Sequence, residues 1–159
     1  MRLIALYSEG GLRDAQSLLG QISLITDKNI TKKAVEGLVG AINFEKVKKF
    51  INYLAKKEKE KALEFINDLY DEGYDLEVFN KEILSYLRKI LLLKISPTLG
   101  KILEKEATNE EISILFKQAQ SFDTPYLEKL LKRFIEIQVQ LRRTPILTLP
   151  FELCISEEL

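Results

Sequence analysis

The sequence predicts an all-α fold, a bundle of helices joined by short connections. Its 159 residues include only 4 prolines and 7 glycines, and most of these lie at the ends of segments. Apolar residues recur along most of the chain at the three- and four-residue spacing of a helix face. Because 46% of the residues are hydrophobic and 30% are charged, a buried core can form beneath a charged surface.

Two helices are predicted in the first forty residues. The first follows the glycines of SEGGLRDAQSLL, residues 8–19, and its apolar stripe comprises Leu12, Leu18, Leu19, Ile22 and Ile25. For the second, Thr31 is expected to cap a short helix that ends by Gly40.

Three helices are predicted in the middle of the chain. Two apolar stripes indicate the first two, namely Phe44, Val47, Phe50, Ile51 and Leu54, then Ala62, Leu63, Ile66 and Leu69. The charged run KKEKEK, Lys56 to Lys61, predicts a solvated turn or helix face between them. Asp75 is then predicted to cap LEVFNKEILSYLRKILLLKI, whose apolar positions wrap most of the way round. A helix of that kind belongs at the centre of a bundle.

The C-terminal third carries further helix-start signals. Thr108 to Glu111, TNEE, has the spacing of a capping box. Thr124-Pro125 has the form of a cap followed by a first-turn proline, and Leu127, Leu130, Leu131, Phe134, Ile137 and Leu141 form one face after it. In the tail, PFELCISEEL predicts a final helix begun by Pro150, and ILTL before it is compatible with an extended segment.

The side-chain chemistry argues against a catalytic domain. The chain has no histidine, which removes histidine bases and every histidine-dependent zinc site. The single Cys154 cannot form an internal disulfide or a cysteine-cluster metal site, as is typical of an intracellular protein. The sequence contains no GxxxxGK[ST], HExxH or GxSxG motif. We therefore expect no metal site and no catalysis by this polypeptide alone.

No stretch predicts a secretory signal or a membrane span. The apolar run in MRLIALYSEGG is too short for a signal peptide. The densest apolar run, Ile90 to Ile95, falls far below the roughly 20 residues that a membrane helix needs. We expect a cytoplasmic protein without membrane contact.

Arg13 has an unusual place for a cation, the first turn of a predicted helix. The helix dipole is positive at this end, so the arginine is unfavourable there unless Asp14 or a ligand offsets its charge. Free backbone N–H groups and a guanidinium together suit a phosphate or carboxylate. A solvated arginine beside a helpful aspartate is the alternative, and both interpretations stay open at this point.

The segment around Arg13 resembles the sensor-2 segment of a known family, the gamma/tau subunit of bacterial DNA polymerase III, which is an ATP-driven clamp loader. Matching residues in GGLRDAQSLLGQI are Gly10, Arg13, Asp14, Ala15, Ser17, Leu19 and Gln21, whereas Gly11, Gln16 and Gly20 depart from the usual pattern. The segments ITKKAVEGLVG and ALEFINDLYDEGYDLEVFNKEILSYLR are also similar, as are Leu149 and Glu152 near the end. The delta-prime subunit is a weaker match, because the Arg-Asp pair favours gamma/tau.

The resemblance implies a division of the chain and a role for each part. Residues 1–40 would form a small helical lid, and residues 41–159 a helical collar that packs beside copies of itself and beside the delta and delta-prime subunits. The ATPase domain, with its ATP and Mg²⁺ site, would lie upstream. Arg13 would reach the γ-phosphate of that ATP and couple the nucleotide state to the position of the lid. No direct contact with nucleic acid is implied for this segment.

Two other functions remain possible from the sequence. A stand-alone helical scaffold could bind a partner through an amphipathic groove. A nucleic-acid-binding bundle could use the lysines from Lys46 to Lys61, although 24 basic and 24 acidic residues give no overall basic charge. Arg142 and Arg143 suit either an interface anchor or a solvated helix end.

Overall fold

The structure is a computed structural model that describes residues 32–96, 98, 100–103 and 107–159. Throughout these residues the regular structure is helical, without a strand, which confirms the predicted all-α class. The helices are α1 (Lys32–Lys56), α2 (Lys59–Asp71), α3 (Leu76–Ile95), the single turn α4 (Gly100–Leu103), α5 (Asn109–Ala119), α6 (Thr124–Gln140) and α7 (Leu149–Glu158).

The chain divides into two compact units, Met1–Lys46 and Val47–Leu159. The boundary expected after Gly40 stays a prediction. The expectation that a short helix ends by Gly40 is wrong, because α1 continues through this glycine to Lys56. A glycine inside a helix costs about 1 kcal/mol relative to alanine. The burial of Val47, Phe50 and other apolar residues further along α1 outweighs that cost.

The turn between α1 and α2 lies within the lysine-rich run, as the sequence predicts. Lys57 adopts a left-handed backbone conformation with φ 55°. The N–H of Glu58 donates to the carbonyl of Tyr53 over 2.9 Å, which satisfies one of the open carbonyls at the end of α1. The chain thereby turns within two residues and begins α2 at Lys59.

Helix α3 is the central helix of the second unit, in agreement with its all-round apolar pattern. It packs against α4, α5 and α6, whereas α7 packs against α2 and α6. The ring of Phe50 meets the rings of Phe79 and Phe134 edge-on, with centroids 5.7 and 6.3 Å apart. Phe134 in turn lies 6.2 Å from Phe151. These four fully buried rings join α1, α3, α6 and α7 in one core.

Capping residues fix where three of these helices begin. The Asp75 carboxylate accepts hydrogen bonds from the N–H groups of Glu77 and Val78, as predicted. Thr108 and Glu111 form the predicted capping box at α5. For α6 the prediction is wrong by one residue, because Thr124 is already helical. The cap is Asp123, whose extended backbone lets its carboxylate accept from the N–H of Tyr126 over 2.7 Å.

The tail forms a helix without an extended segment before it. Helix α7 begins at Leu149 with Pro150 in its first turn, and Leu147 and Thr148 of ILTL form a turn before it. Among the described residues, no helix is long and apolar enough to cross a membrane.

Two buried polar side chains hold the helices in register. Asn80 on α3 donates through Nδ2 to the carbonyl of Phe134 at 3.0 Å and to Oε1 of Gln138 at 2.9 Å, both on α6. Gln118 on α5 accepts from the Tyr86 hydroxyl at 2.5 Å and donates to Oδ1 of Asn52 at 2.6 Å. Buried polar groups of this kind accept only the arrangement that satisfies them, so each one specifies how its helices pack.

Candidate oligomerisation surface

The predicted ligand-binding residue cannot be placed. Arg13 and its neighbour Asp14 lie outside the described residues, so the sensor role and the link to ATP stay predictions. The candidate site in the described part of the chain is a pair of exposed apolar faces on the second unit.

The first apolar face runs along α6. It consists of Ile135 and Val139, whose side chains are 57% and 51% exposed, and of the half-buried Leu131 one turn earlier. Residues four apart lie on the same side of a helix, so the three side chains form one stripe. We name this stripe the α6 face.

The α6 face points away from α7. Arg133, only two residues before Ile135, pairs with Glu157 and Glu158 of α7. Positions two apart in a helix are about 200° apart around its axis, so Ile135 lies on nearly the opposite side of α6. Further along, Gln138 of α6 and Arg142 just after the end of α6 both donate to Oε1 of Glu77 on α3.

The second apolar face surrounds the start of α7. The fully buried Phe151 and its buried neighbours Cys154 and Ile155 turn one side of α7 into the core. The opposite side and the preceding turn carry exposed apolar side chains, and we name these residues the α7 face. They are Ile146, Leu147, Leu149 and Leu153, at 55%, 38%, 37% and 50% exposure. Exposed apolar residues grouped in this way are typical of interaction sites.

The borders of the two faces differ in their charged residues. Helix α7 carries three charged residues, Glu152, Glu157 and Glu158, and all of them are acidic. The α6 face lies between exposed basic residues, with Lys132 before Ile135 and the pair Arg142-Arg143 after Val139. Two acidic residues, Glu128 and Glu136, are also exposed beside the α6 face. The border of the α6 face is therefore of mixed charge.

The sequence did not decide whether Arg142 and Arg143 are interface anchors or solvated residues at a helix end. In the structure, Arg142 has a partner within the chain. Its guanidinium donates from Nε and from a terminal nitrogen to Oε1 of Glu77, at 3.2 and 3.1 Å. Its side chain is nevertheless 66% exposed, and Arg143 beside it is also exposed. Both arginines are therefore available at the rim of the α6 face.

Several lysines between Lys46 and Lys61 make contacts within the fold. The ammonium groups of Lys49 and Lys57 lie over the rings of Phe65 and Tyr126, 5.3 and 5.4 Å from the centroids. Lys61 pairs with Glu58 at 2.9 Å. Lys59 donates to the carbonyl of Ser156, near the end of α7, over 3.0 Å. Four of the lysines in this part of the sequence therefore have partners within their own chain.

The titratable groups of the core are not arranged for reaction. Burial raises the pKa of the Cys154 thiol to about 12, which keeps it protonated and a poor nucleophile at neutral pH. Burial likewise raises the pKa of Tyr126 to about 12. Within the described ranges, no three acidic or cysteine side chains come together where they could hold a metal ion. What the arrangement can do is bind another apolar surface.

The resemblance implied a collar that packs beside other subunits, but the sequence did not show which apolar faces it would use. A signal was present, since Ile135 and Val139 fall outside the stripe that begins at Leu127 and are four residues apart. The α7 face had no such signal, because its helix is apolar on several sides. Only the contact of Phe151 with Phe134 shows which side of α7 is buried and which side stays exposed.

The second unit is all-helical in its described residues and has two exposed apolar faces, which suit contact with another surface. The chain belongs to the family described as DNA polymerase III subunits gamma and tau domain III, whose model matches residues 30–153. It is similar to the DNA polymerase III subunit tau of Bacillus subtilis, with 30% identity over 118 residues, 74% of this chain and 21% of that protein. The tau subunit of Escherichia coli is 27% identical over 97 residues, 61% of this chain and 15% of that protein.

A solved structure shares the fold. The Bacillus subtilis DNA clamp loader delta protein superimposes with a TM-score of 0.65 at 18% identity, covering 98% of this chain and 48% of that chain. The chain thus corresponds to domain III of the gamma and tau subunits and spans about a fifth or less of the two tau proteins it matches.

Proposed function

We propose that this chain is the collar of an ATP-driven clamp loader, the part through which subunits of bacterial DNA polymerase III assemble. In this role it contacts further copies of itself and the delta and delta-prime subunits, in the cytoplasm, and catalyses nothing alone. The observation that carries the proposal is the match to gamma and tau domain III on a unit with two exposed apolar faces. Its helices would hold the ATPase domains of the full-length subunits in one assembly.

The proposal also assigns a role to Arg13 in the full-length subunit. Its guanidinium, together with the N–H groups of the first helical turn, would contact the γ-phosphate of ATP bound with Mg²⁺ in the upstream ATPase domain. Replacing Arg13 by alanine in the full-length subunit is expected to abolish most ATP-dependent clamp loading and to leave folding and assembly unchanged. Clamp loading at the normal rate by that variant would exclude the role.

The collar role is testable by competition. The chain is added in excess to full-length clamp-loader subunits before they assemble, and ATP-dependent clamp loading is then measured. If the chain occupies collar positions, activity falls as the amount of chain rises, because mixed assemblies lack ATPase domains. Unchanged activity at every ratio, with full-length subunits that assemble normally, would contradict the proposal.

The matched control is the chain with Ile135→Asp and Leu153→Asp. Both positions are at least half exposed, so the variant is expected to fold with little loss of stability. The two new charges have the same sign and cannot pair across a contact. The variant is expected not to inhibit clamp loading, and equal inhibition by it would show that the two faces are not the contact.

A further inference from the structure

We infer that α7 docks and undocks as one element, and that three basic residues on its neighbouring helices keep it docked. These residues are Lys59 on α2 and Lys129 and Arg133 on α6, and we name them the α7 anchor. The inference rests on the proposed collar function and adds a control to it, because the α7 face is presented only while α7 is docked.

Glu158 is the residue of α7 that the anchor holds most closely. Its side chain is only 4% exposed, whereas that of its neighbour Glu157 is 54% exposed. Oε2 of Glu158 lies 2.8 Å from Nζ of Lys129, in an ion pair without hydrogen-bond alignment, and Oε1 lies 3.4 Å from Nε of Arg133. A buried carboxylate is costly unless cations compensate it, so the docked position of Glu158 depends on these two partners.

Two further contacts join the same turn of α7 to both neighbouring helices. Nζ of Lys59 donates to the carbonyl of Ser156 over 3.0 Å, which satisfies an open carbonyl near the end of α7. Arg133 also pairs with Glu157. At the other end of α7 the side chain of Thr148 makes no capping hydrogen bond. The charged contacts described for α7 therefore lie at its C-terminal end.

Without the anchor, α7 has little tendency to be a helix. It has ten residues, fewer than an isolated helix needs to be stable in water. Glu157 and Glu158 lie in its last turn, where the helix dipole is negative, and no basic residue of α7 offsets them. The compensating cations belong to α2 and α6. Helix formation and docking of α7 are therefore coupled, and loss of the anchor favours local unfolding of this element.

Undocking of α7 removes the α7 face and leaves the rest of the bundle in place. The rings of Phe50, Phe79 and Phe134 join α1, α3 and α6 without a contribution from α7. Leu149 and Leu153 of the α7 face lie on α7 itself, so they form a surface only while this helix is folded against its neighbours. The anchor thereby controls whether the α7 face is available for contact.

The test compares hydrogen exchange in α7 and α3 of the full chain. Glu158→Gln removes the buried charge with little change of shape, and Lys129→Glu reverses the charge of a partner that is itself 61% exposed. In each variant the amides of α7 are expected to exchange about tenfold faster than in the wild type, the effect of losing one charged contact. The amides of α3 are expected to exchange at an unchanged rate. Mass spectrometry of proteolytic fragments measures both helices in one sample.

Glu136→Gln is the matched control. Glu136 is 54% exposed and pairs with the same arginine, Arg133, over 2.9 Å, but it does so within α6. The control loses the same charge as Glu158→Gln and is expected to exchange the amides of α7 at the wild-type rate. Circular dichroism verifies that all three variants fold.

Several outcomes would overturn the inference. Exchange that rises equally in α7 and α3 would show that α7 opens only when the whole unit unfolds. Unchanged exchange of α7 in both Glu158→Gln and Lys129→Glu would show that the anchor does not hold it, and an equal rise in Glu136→Gln would show that the effect is not specific to α7.

The competition assay tests the consequence for assembly. Glu158→Gln is expected to inhibit clamp loading less than the wild-type chain does, and equal inhibition would show that the α7 face is presented without the anchor. A wild-type chain that does not inhibit at all would contradict the collar function, whereas the exchange rates of α7 would still decide whether the anchor holds this helix. Failure of the inference is thus distinguishable from failure of the proposed function.

Discussion

At the scale of single residues, burial determines chemistry, and Cys154 shows it most clearly. Its side chain points into the core beside Phe151 and Ile155, and burial raises the pKa of its thiol to about 12. The sequence alone identified a lone cysteine, but not the side of α7 on which it lies. The reactivity of this thiol therefore reports on whether α7 is docked.

We predict that Cys154 is protected from alkylation while the protein is folded. At pH 8 the fraction of thiolate falls on the order of 10³-fold when the pKa rises from about 8.5 to about 12, and burial slows access further. Labelling by iodoacetamide, followed by mass spectrometry, is expected to be slow in buffer and fast in denaturant. Equal rates under the two conditions would contradict the buried position of Cys154.

Asn80 is the second residue whose role comes from its surroundings. The apolar stripe of α3 contains this one amide, which is fully buried and bonds to the carbonyl of Phe134 and to Gln138. Its own carbonyl oxygen has no donor among the described residues, which offsets part of the stabilisation.

We predict that Asn80→Ala lowers the free energy of unfolding by about 2 kcal/mol, because two buried hydrogen bonds are lost and a small cavity remains. Asn67 provides the control, since its side chain is exposed and bonds only within α2, to the carbonyl of Leu63. Asn67→Ala is expected to change stability by less than about 0.5 kcal/mol. Denaturant titration measures both, and equal effects would mean that Asn80 does not tie α3 to α6.

At the scale of helices, the sequence predicted which segments are helical better than it predicted where each helix begins and ends. The capping box at Thr108, the cap at Asp75 and the central position of α3 are all confirmed, since each depends on local spacing or on a complete apolar pattern. The two errors have different causes. Gly40 was expected to end a helix and Thr124 to cap one, but tertiary burial carries α1 through the glycine, and Asp123 competes successfully for the cap of α6.

The corrected cap of α6 makes a prediction about two adjacent residues. Asp123→Ala is expected to lower the free energy of unfolding by about 1 kcal/mol, because the N–H of Tyr126 loses its acceptor and the helix dipole loses a favourable charge. Thr124→Ala is expected to change it by less than about 0.5 kcal/mol, because Thr124 is already inside the helix. Thermal unfolding compares the two variants, and a larger effect at Thr124 would restore it as the cap.

At the scale of the whole molecule, the sequence predicted a bundle but could not show its outer surfaces. Ile135 and Val139 could be recognised as lying off the main stripe of α6. Whether another helix covers them depends on the packing of α3 and α7, which no local pattern specifies. The same holds for the lysines from Lys46 to Lys61, several of which bind within their own fold. Contacts between residues that are far apart in the sequence therefore determine which side chains stay exposed and can contact other molecules.

The measurement that tests the collar function most directly is the mass of the chain mixed with the delta and delta-prime subunits, by size-exclusion chromatography with light scattering. We predict one species heavier than any component and containing all three, absent when Ile135→Asp/Leu153→Asp replaces the wild-type chain. Separate elution of the three proteins, each at its own mass, would contradict a collar and favour a helical scaffold that acts alone.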